Sequence, residues 1–331
     1  MNRRITELSL IISALALICL VPSPRVGATV PGANGRIAFQ ADTGTGSQIY
    51  TVRPNGHDLR QITQVTVEAV RPDWSPDGRL IAFEHSSAVC ASVAIMNADG
   101  SNLIDLVPPS ANLCEGDPSF TPDGTRIVFE QFNVDTFEDA IWSMKLDGSG
   151  RRFITIGTGS GVIDPSVSPD GRTLSFIDFN GLDFGQALFT VDIHGRNLFQ
   201  VTPFTFDVAV KADWAPNGRQ LLFTENADFP PPNSSNIATI RPDGTGLRHL
   251  THFQGGDVKA FVGSYSPDGR WIVFRLEDHG SFGLFKMRPD GSDRRPILGL
   301  SSFRPRFIAW GPRARGDRGD DDDDDDEDNQ R

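Results

Sequence analysis

The residues in this chain best suited to chemistry are few and widely spaced. His249 and His252 make a His-x-x-His, but on a strand two side chains three apart face opposite sides, a poor geometry for chelation. His57, His85, His194 and His279 fall elsewhere, so no convergent imidazoles are expected of the kind a metal-dependent sugar lyase needs. There is no Gly-x-Ser-x-Gly, His-Glu-x-x-His or phosphate loop ending in Gly-Lys-Ser/Thr, which removes the signatures of serine hydrolases, zinc peptidases and nucleotide-binding enzymes. Arg71, Asp117, Asp164 and Lys211 stand at equivalent positions of a repeat, followed in series by Val262 and Phe307. They are candidates for ion pairs, or for ligand binding, at the mouth of a central funnel. Cys90 and Cys114 are candidates for a disulfide closing a loop of about 25 residues. No catalytic residue, metal ligand or cofactor is assigned.

The elements that must position these residues announce themselves as a repeat. Asp73-Trp74-Ser75-Pro76-Asp77-Gly78 recurs as Ser119-Phe120-Thr121-Pro122-Asp123-Gly124, and again around Val167, Trp214 and Tyr265. The register runs through Trp74, Phe120, Val167, Trp214, Tyr265 and Trp310 in steps of 46, 47, 47, 51 and 45 residues. In Ser-Pro-Asp-Gly the ring of Pro presets φ for the second position of a type I turn, and Gly supplies the positive φ that starts a returning strand. The turn Asp residues of separate units cannot converge on one ion, so they are expected to satisfy their own turns. After each turn an apolar run ends in Phe39, Phe83, Phe129, Phe176, Phe223 or Phe274. A third strand, a second Gly turn such as Asp99-Gly100 or Asp147-Gly148, and a short fourth strand ending in Thr follow.

Six units of four antiparallel strands predict an all-β, six-bladed β-propeller over 29–312. The first unit lacks an innermost strand, and Phe307-Ile308-Ala309-Trp310 is such a strand without a blade. Pairing the two closes the ring and protects both edges. The repeated Trp-Ser-Pro-Asp-Gly, the strand ending in Phe and the later Asp-Gly resemble the TolB-like β-propellers of the WD-like Pro-Asp repeat class, over residues 31–312. That resemblance implies a fold shared by periplasmic binding proteins, propeller halves of peptidases and sugar-degrading enzymes. TolB's amino-terminal α/β domain has no expected counterpart here. The resemblance therefore implies at most a propeller surface that receives a protein such as a peptidoglycan-associated lipoprotein.

Arg3 and Arg4 before an apolar stretch over 8–21, with Val26-Gly27-Ala28 behind it, read as a leader over 1–28. Fourteen apolar residues fall short of the roughly 20 that span a bilayer, so no transmembrane segment is expected after cleavage. The residues before Cys19 lack the small side chains that lipid modification prefers. An exported, periplasmic or extracellular protein follows, in a compartment that favours the disulfide. The net charge of −12 and the scattered Arg argue against nucleic acid. The tail over 313–331 carries an acidic run over 320–328 and is expected to be disordered and solubilising, with weak calcium attraction or docking to a basic partner as the alternative. The functional expectation is a monomeric, non-catalytic scaffold that takes a protein or peptide in the cell envelope on its loop face. There Phe137, Phe179, Phe184, Phe229 and Phe282 lie among carboxylates. The alternative is a hydrolase or lyase acting on polysaccharide or peptide in the funnel.

Overall fold

The computed structural model describes residues 32–42, 44, 46–86, 90–108, 110–181, 185–227 and 234–314. The expected leader, the acidic run, Phe184 and Phe229 lie outside the described residues. Six four-stranded antiparallel sheets form the ring. Blade one joins Arg306–Pro312 to Asn34–Asp42, Ser47–Val52 and Arg60–Gln61; blade two holds Ala69–Trp74, Leu80–His85, Ser92–Asn97 and Ile104–Asp105. Blade three runs through Leu113–Phe120, Arg126–Asn133, Glu138–Lys145 and Arg152–Thr155, and blade four through Val162–Val167, Thr173–Phe179, Gln186–Asp192 and Phe199–Gln200. Blade five contains Val208–Trp214, Leu221–Ala227, Ser234–Ile240 and Arg248–His249; blade six contains Val258–Tyr265, Ile272–Asp278, Ser281–Met287 and Arg295–Ser301. The carboxy-terminal strand closes the ring as the repeat predicts, with Ile37 opposite Trp310 and Ala38 opposite Ala309.

The period of two along each second strand explains why the blades stack. Phe39, Phe83, Phe129, Phe176, Phe223 and Phe274 are at most 1% exposed. Phe83 packs with Ala38 and Ile49 of blade one, whereas its neighbour Ala82 packs with Phe120 and Phe129 of blade three. One side chain thus serves the preceding interface and the next serves the following one, giving six apolar cores, one between each pair of blades.

The repeated polar residues serve the turns and blade ends. Asp77 Oδ1 accepts the Ser75 hydroxyl at 2.7 Å and the Arg79 N–H at 3.1 Å, and Asp123, Asp170 and Asp268 do the same in their turns. The Thr that ends a blade accepts a third-strand N–H, as Thr63 does from Ile49 at 2.8 Å and Thr251 from Ile237 at 2.9 Å. Each outer-turn glycine also rests on its neighbour. A Cβ on Gly56, Gly100, Gly148, Gly195 or Gly291 would fall 2.1–2.5 Å from a carbonyl oxygen in, or one residue beyond, the fourth strand of the preceding blade. No helix among the described residues is long and apolar enough to cross a membrane.

Cys90 and Cys114 are joined by a disulfide, with Cα atoms 4.8 Å apart. Cys114 lies within the first strand of blade three, opposite Phe132, and not in the loop before it. The bond therefore links two blades, beside the Glu115 N–H donated to Ala91 O at 2.9 Å.

Candidate functional site

Both glycine turns of every blade lie on one face, and the longer connections lie on the other. A bulge interrupts each first strand near its middle. Register shifts fall between Val70 and Asp73, Gly116 and Ser119, Ile163 and Ser166, and Ala209 and Ala212. The bulged residues are Arg71, Asp117, Asp164 and Lys211, at φ of 56°, 49°, 52° and 78°, with Phe307 at 48° in the closing strand. A bulge in the left-handed region turns its side chain out of the pleat, here into the channel. The equivalent sequence positions thus become neighbours on one ring.

Their main-chain N–H groups are received by the blade before. Arg71 N–H donates to Gln40 Oε1 at 2.9 Å, Asp117 N–H to the Glu84 carboxylate, and Asp164 N–H to Asp117 Oδ2 at 3.2 Å. Lys211 N–H donates to Asp164 Oδ2 at 2.8 Å and Val262 N–H to Thr224 Oγ1 at 2.8 Å. A second tier lies deeper, where Asp73 accepts the Phe120 N–H, Asp213 the Tyr265 N–H and Ser264 the Trp310 N–H, at 2.7–2.8 Å. These bonds offset the strain of the unusual φ values and fix each blade against the next.

Arg71 is the hub of the charges. It pairs with Asp117, lies 3.5 Å from Glu84 and 4.0 Å from Glu130, and stacks over Phe307 at 5.0 Å. Burial disfavours its charge, but Asp117, Glu84, Asp164 and Glu130 outweigh that and hold its pKa above the usual guanidinium value. One guanidinium cannot neutralise four carboxylates. Burial pushes Glu84 up to about 7 despite Arg71, with Asp117 adding repulsion, and burial with Asp117 repulsion takes Asp164 to about 7. Burial, then Asp117 and Asp139, raise Glu130 well above the carboxylate range. Asp139 sits at about 6, mainly through burial. The Lys211 ammonium is felt by both Asp164 and Asp73.

Glu84 and Glu130 were not among the candidates read from sequence. Their signal was present: each directly follows a second-strand Phe, as Gln40, Thr224 and Arg275 also do. A polar side chain closing an apolar strand buried on both faces has to turn toward the channel. The space between the bulged residues is about 70 Å³, room for a few waters, against roughly 150 Å³ for a cavity that holds benzene.

The loop-face aromatics are less uniform than their sequence positions. Phe137 is 78% exposed and leans on Phe132, centroids 6.3 Å apart. Phe179 is half-buried beside Gly161, and Phe282 is half-buried under the Arg304 guanidinium at 4.7 Å. Phe204 and Phe206 pack against the cores on either side of blade four, and Phe253 against the next. His249 and His252 differ from expectation. The fourth strand stops at His249, so alternation does not reach His252, and the rings come within 6.2 Å. His249 Nε2 lies 2.5 Å from Glu225. Among the described residues no three His, Cys, Asp or Glu are grouped to hold a metal.

No family model matches the chain. It is 51% identical over 37 residues to the Tol-Pal system protein TolB of Nitratidesulfovibrio vulgaris (strain Hildenborough), a stretch covering 11% of this chain and only 8% of that protein. In structure it is similar to TolB from Acinetobacter baumannii, with a TM-score of 0.69 at 18% identity over 84% of this chain and 67% of that one. It is also similar to Kuenenia stuttgartiensis hydrazine synthase, with a TM-score of 0.66 at 14% identity over 88% of this chain and 48% of that one. A chain of a nidogen/laminin complex gives 0.64 at 13% identity over 84% and 98%. Proteins as different as these share architecture alone. The chain therefore has the fold of a TolB-like six-bladed β-propeller.

Proposed function

We propose that this chain is an exported, non-catalytic scaffold that captures a protein or peptide segment carrying basic and apolar side chains at the loop-face end of its channel. One observation carries this reading: Asp117, Glu84, Glu130 and Asp164 surround the single guanidinium of Arg71, so that once Glu84 and Asp164 ionise above about pH 7 negative charge is left that a cation supplied by a partner would compensate. Phe137 of blade three, Phe179 of blade four and Phe282 of blade six offer apolar contact on the loop face, the pairing of anchors and charge that recognition surfaces use. Lys211 sets the orientation, since a partner's cation is repelled from its side of the ring. The reading places the leader at 1–28, the propeller at 29–312 and the tail at 313–331, in a monomer that works in the periplasm or outside the cell on an envelope partner, with no cofactor. The Tol-Pal name of the short curated match fits a protein that works by association.

Display of random peptides on the folded protein tests it. We expect enrichment of Lys or Arg beside aromatic or aliphatic residues, and about tenfold weaker binding of the selected peptides after Phe137→Ala or Asp164→Asn. Binding should tighten from pH 6 to pH 8, because Glu84 and Asp164, both at about 7, become anionic over that span. Selection of acidic peptides, or none, defeats the reading.

A second reading has its own support. Carboxyls held near 7 suit a general acid, which favours hydrolase or lyase chemistry in the funnel. The space of about 70 Å³ between the bulged residues admits the tip of one cationic side chain but not a sugar ring or a peptide bond, which weighs against a substrate reaching them. Turnover on an oligosaccharide and peptide panel that is lost in both Glu84→Gln and Asp164→Asn would reverse the ranking.

A further inference from the structure

A wide concavity lies on the opposite face, chiefly among the glycine turns of blades three to five and reaching Pro267 and Asp268 of blade six, and holds about 1500 Å³. That exceeds the roughly 300–1,000 Å³ of a small-molecule pocket and suits an extended peptide. Its floor includes Ile154, Ile193 and Trp214, and Arg126, Arg152, Arg172 and Arg219 stand along it. Three carboxylates also line it, Asp123, Asp170 and Asp268, and each is tied to the hydroxyl and main-chain N–H groups of its own turn. Arg126 donates to Ser143 O and Gly150 O, both neutral, and its pKa is lowered by burial and then by the charge of Arg152. Arg152, Arg172 and Arg219 are exposed, and among the described residues none forms an ion pair. Four guanidinium groups thus stand against three carboxylates, a small excess of positive charge along one groove of a chain whose net charge is −12.

The same chain carries the complementary charge nearby. The described residues end at Ala314, whose N lies 3.0 Å from where a Cβ of Gly78 would be, in the inner turn of blade two. A Cβ on Gly124 of blade three would lie 3.6 Å from Pro76 of that turn, and Gly124 follows Asp123 at the rim of the groove. Residues 315–319 reach about 17 Å when extended, enough to bring Asp320 over that rim, and the acidic run 320–328 continues for about 30 Å more. We infer that the groove between the turns of blades three to five is the docking site of the chain's own acidic segment 320–328, held by Arg152, Arg172 and Arg219. Guanidinium and carboxylate match in shape as well as charge. Tethering supplies a millimolar effective concentration, so weak exposed pairs suffice, and salt that shortens the Debye length to a few ångströms releases the segment. The segment would screen the turn face from other anions and leave the loop face free, so this inference stands or falls independently of the proposed capture site.

Two measurements test it on the full chain. A nitroxide attached through Gln330→Cys, in a Cys19→Ala background, should broaden the amide signals of Phe153, Arg172, His194 and Gly218 in low salt. The effect should vanish in 0.5 M NaCl and in the variant Arg152→Gln/Arg172→Gln/Arg219→Gln, whose exposed side chains can change without unfolding, as circular dichroism would verify. Arg126 stays intact because it ties the blade-three turn. In the second measurement, an oligo-aspartate peptide should bind at least tenfold more tightly when every acid over 320–328 is replaced by its amide, because the internal competitor is gone. Uniform or absent broadening, broadening that survives the Arg changes, or equal peptide affinity for both chains would overturn the inference.

Discussion

Gly148 and Gly171 offer a direct test of how the ring is held. Both follow an Asp in a turn, at nearly the same positive φ of 77° and 72°, so local reasoning gives them the same cost on replacement by Ala. Placing an L side chain in the left-handed region costs about 1–2 kcal/mol. The surroundings differ. A Cβ on Gly171 meets nothing within 4 Å, whereas on Gly148 it would lie 2.1 Å from Leu106 O and 3.1 Å from its carbonyl carbon. That oxygen belongs to the outer edge of blade two, and relieving the overlap requires the two blades to part by more than an ångström. Overpacking of this kind adds about 1–3 kcal/mol. We expect Gly171→Ala to cost about 1–2 kcal/mol and Gly148→Ala about 2–5 kcal/mol. Urea unfolding followed by tryptophan fluorescence, with midpoints converted through a common m value, measures the difference. Equal losses would refute the claim that the outer-turn glycine is an inter-blade contact and leave it a turn residue only.

Four further outcomes follow from the same geometry. Because Glu84 and Asp164 sit at about 7 and Asp139 at about 6, the folded chain binds more protons than the unfolded one. The resulting stability is fully present below the unfolded carboxylate values and lost as pH rises through 6 to 7, so unfolding midpoints should fall between pH 5 and pH 8 by on the order of 3 kcal/mol for the interacting set. Glu84→Gln should flatten that slope, and a midpoint that rises over the range would contradict it. At the acid end the sign reverses: hydrogen bonds from Ser101, Ser149 and Thr245 hold Asp99, Asp147 and Asp243 below their usual values, so their contribution disappears as pH falls through those lowered values. Replacing both Cys90 and Cys114 by Ala should lower the urea midpoint by the equivalent of about 2–4 kcal/mol. Trp310→Ala should cost about 3–5 kcal/mol in the same assay, since the side chain is 4% exposed and its Nε1 donates to Gly35 O at 3.2 Å across the closing seam.

Much of this architecture could be read from spacing because each blade is specified locally. A Pro-Asp-Gly turn and a second Asp-Gly turn fix two hairpins within about 45 residues, and the incomplete first unit points to its own missing strand. The equivalent positions of Arg71, Asp117, Asp164 and Lys211 were legible for the same reason. The local pattern reached less far for Phe204, Phe206 and Phe253, since whether a loop ring faces water or a neighbouring blade depends on atoms far away in sequence. His252 was misplaced because alternation was extended beyond a strand of two residues.

Residue order alone determined the number of blades, the turn chemistry and the closing strand, because turns and period-two patterns act over a few residues. Only the assembled ring decided which carboxylates crowd Arg71 and which glycines carry a neighbouring carbonyl. The repeat places Glu84, Asp117, Glu130 and Asp164 in three different blades, and their mutual repulsion and shared burial exist only once those blades pack side by side. Coulomb interaction and desolvation depend on distance through space, which spacing along a chain does not encode.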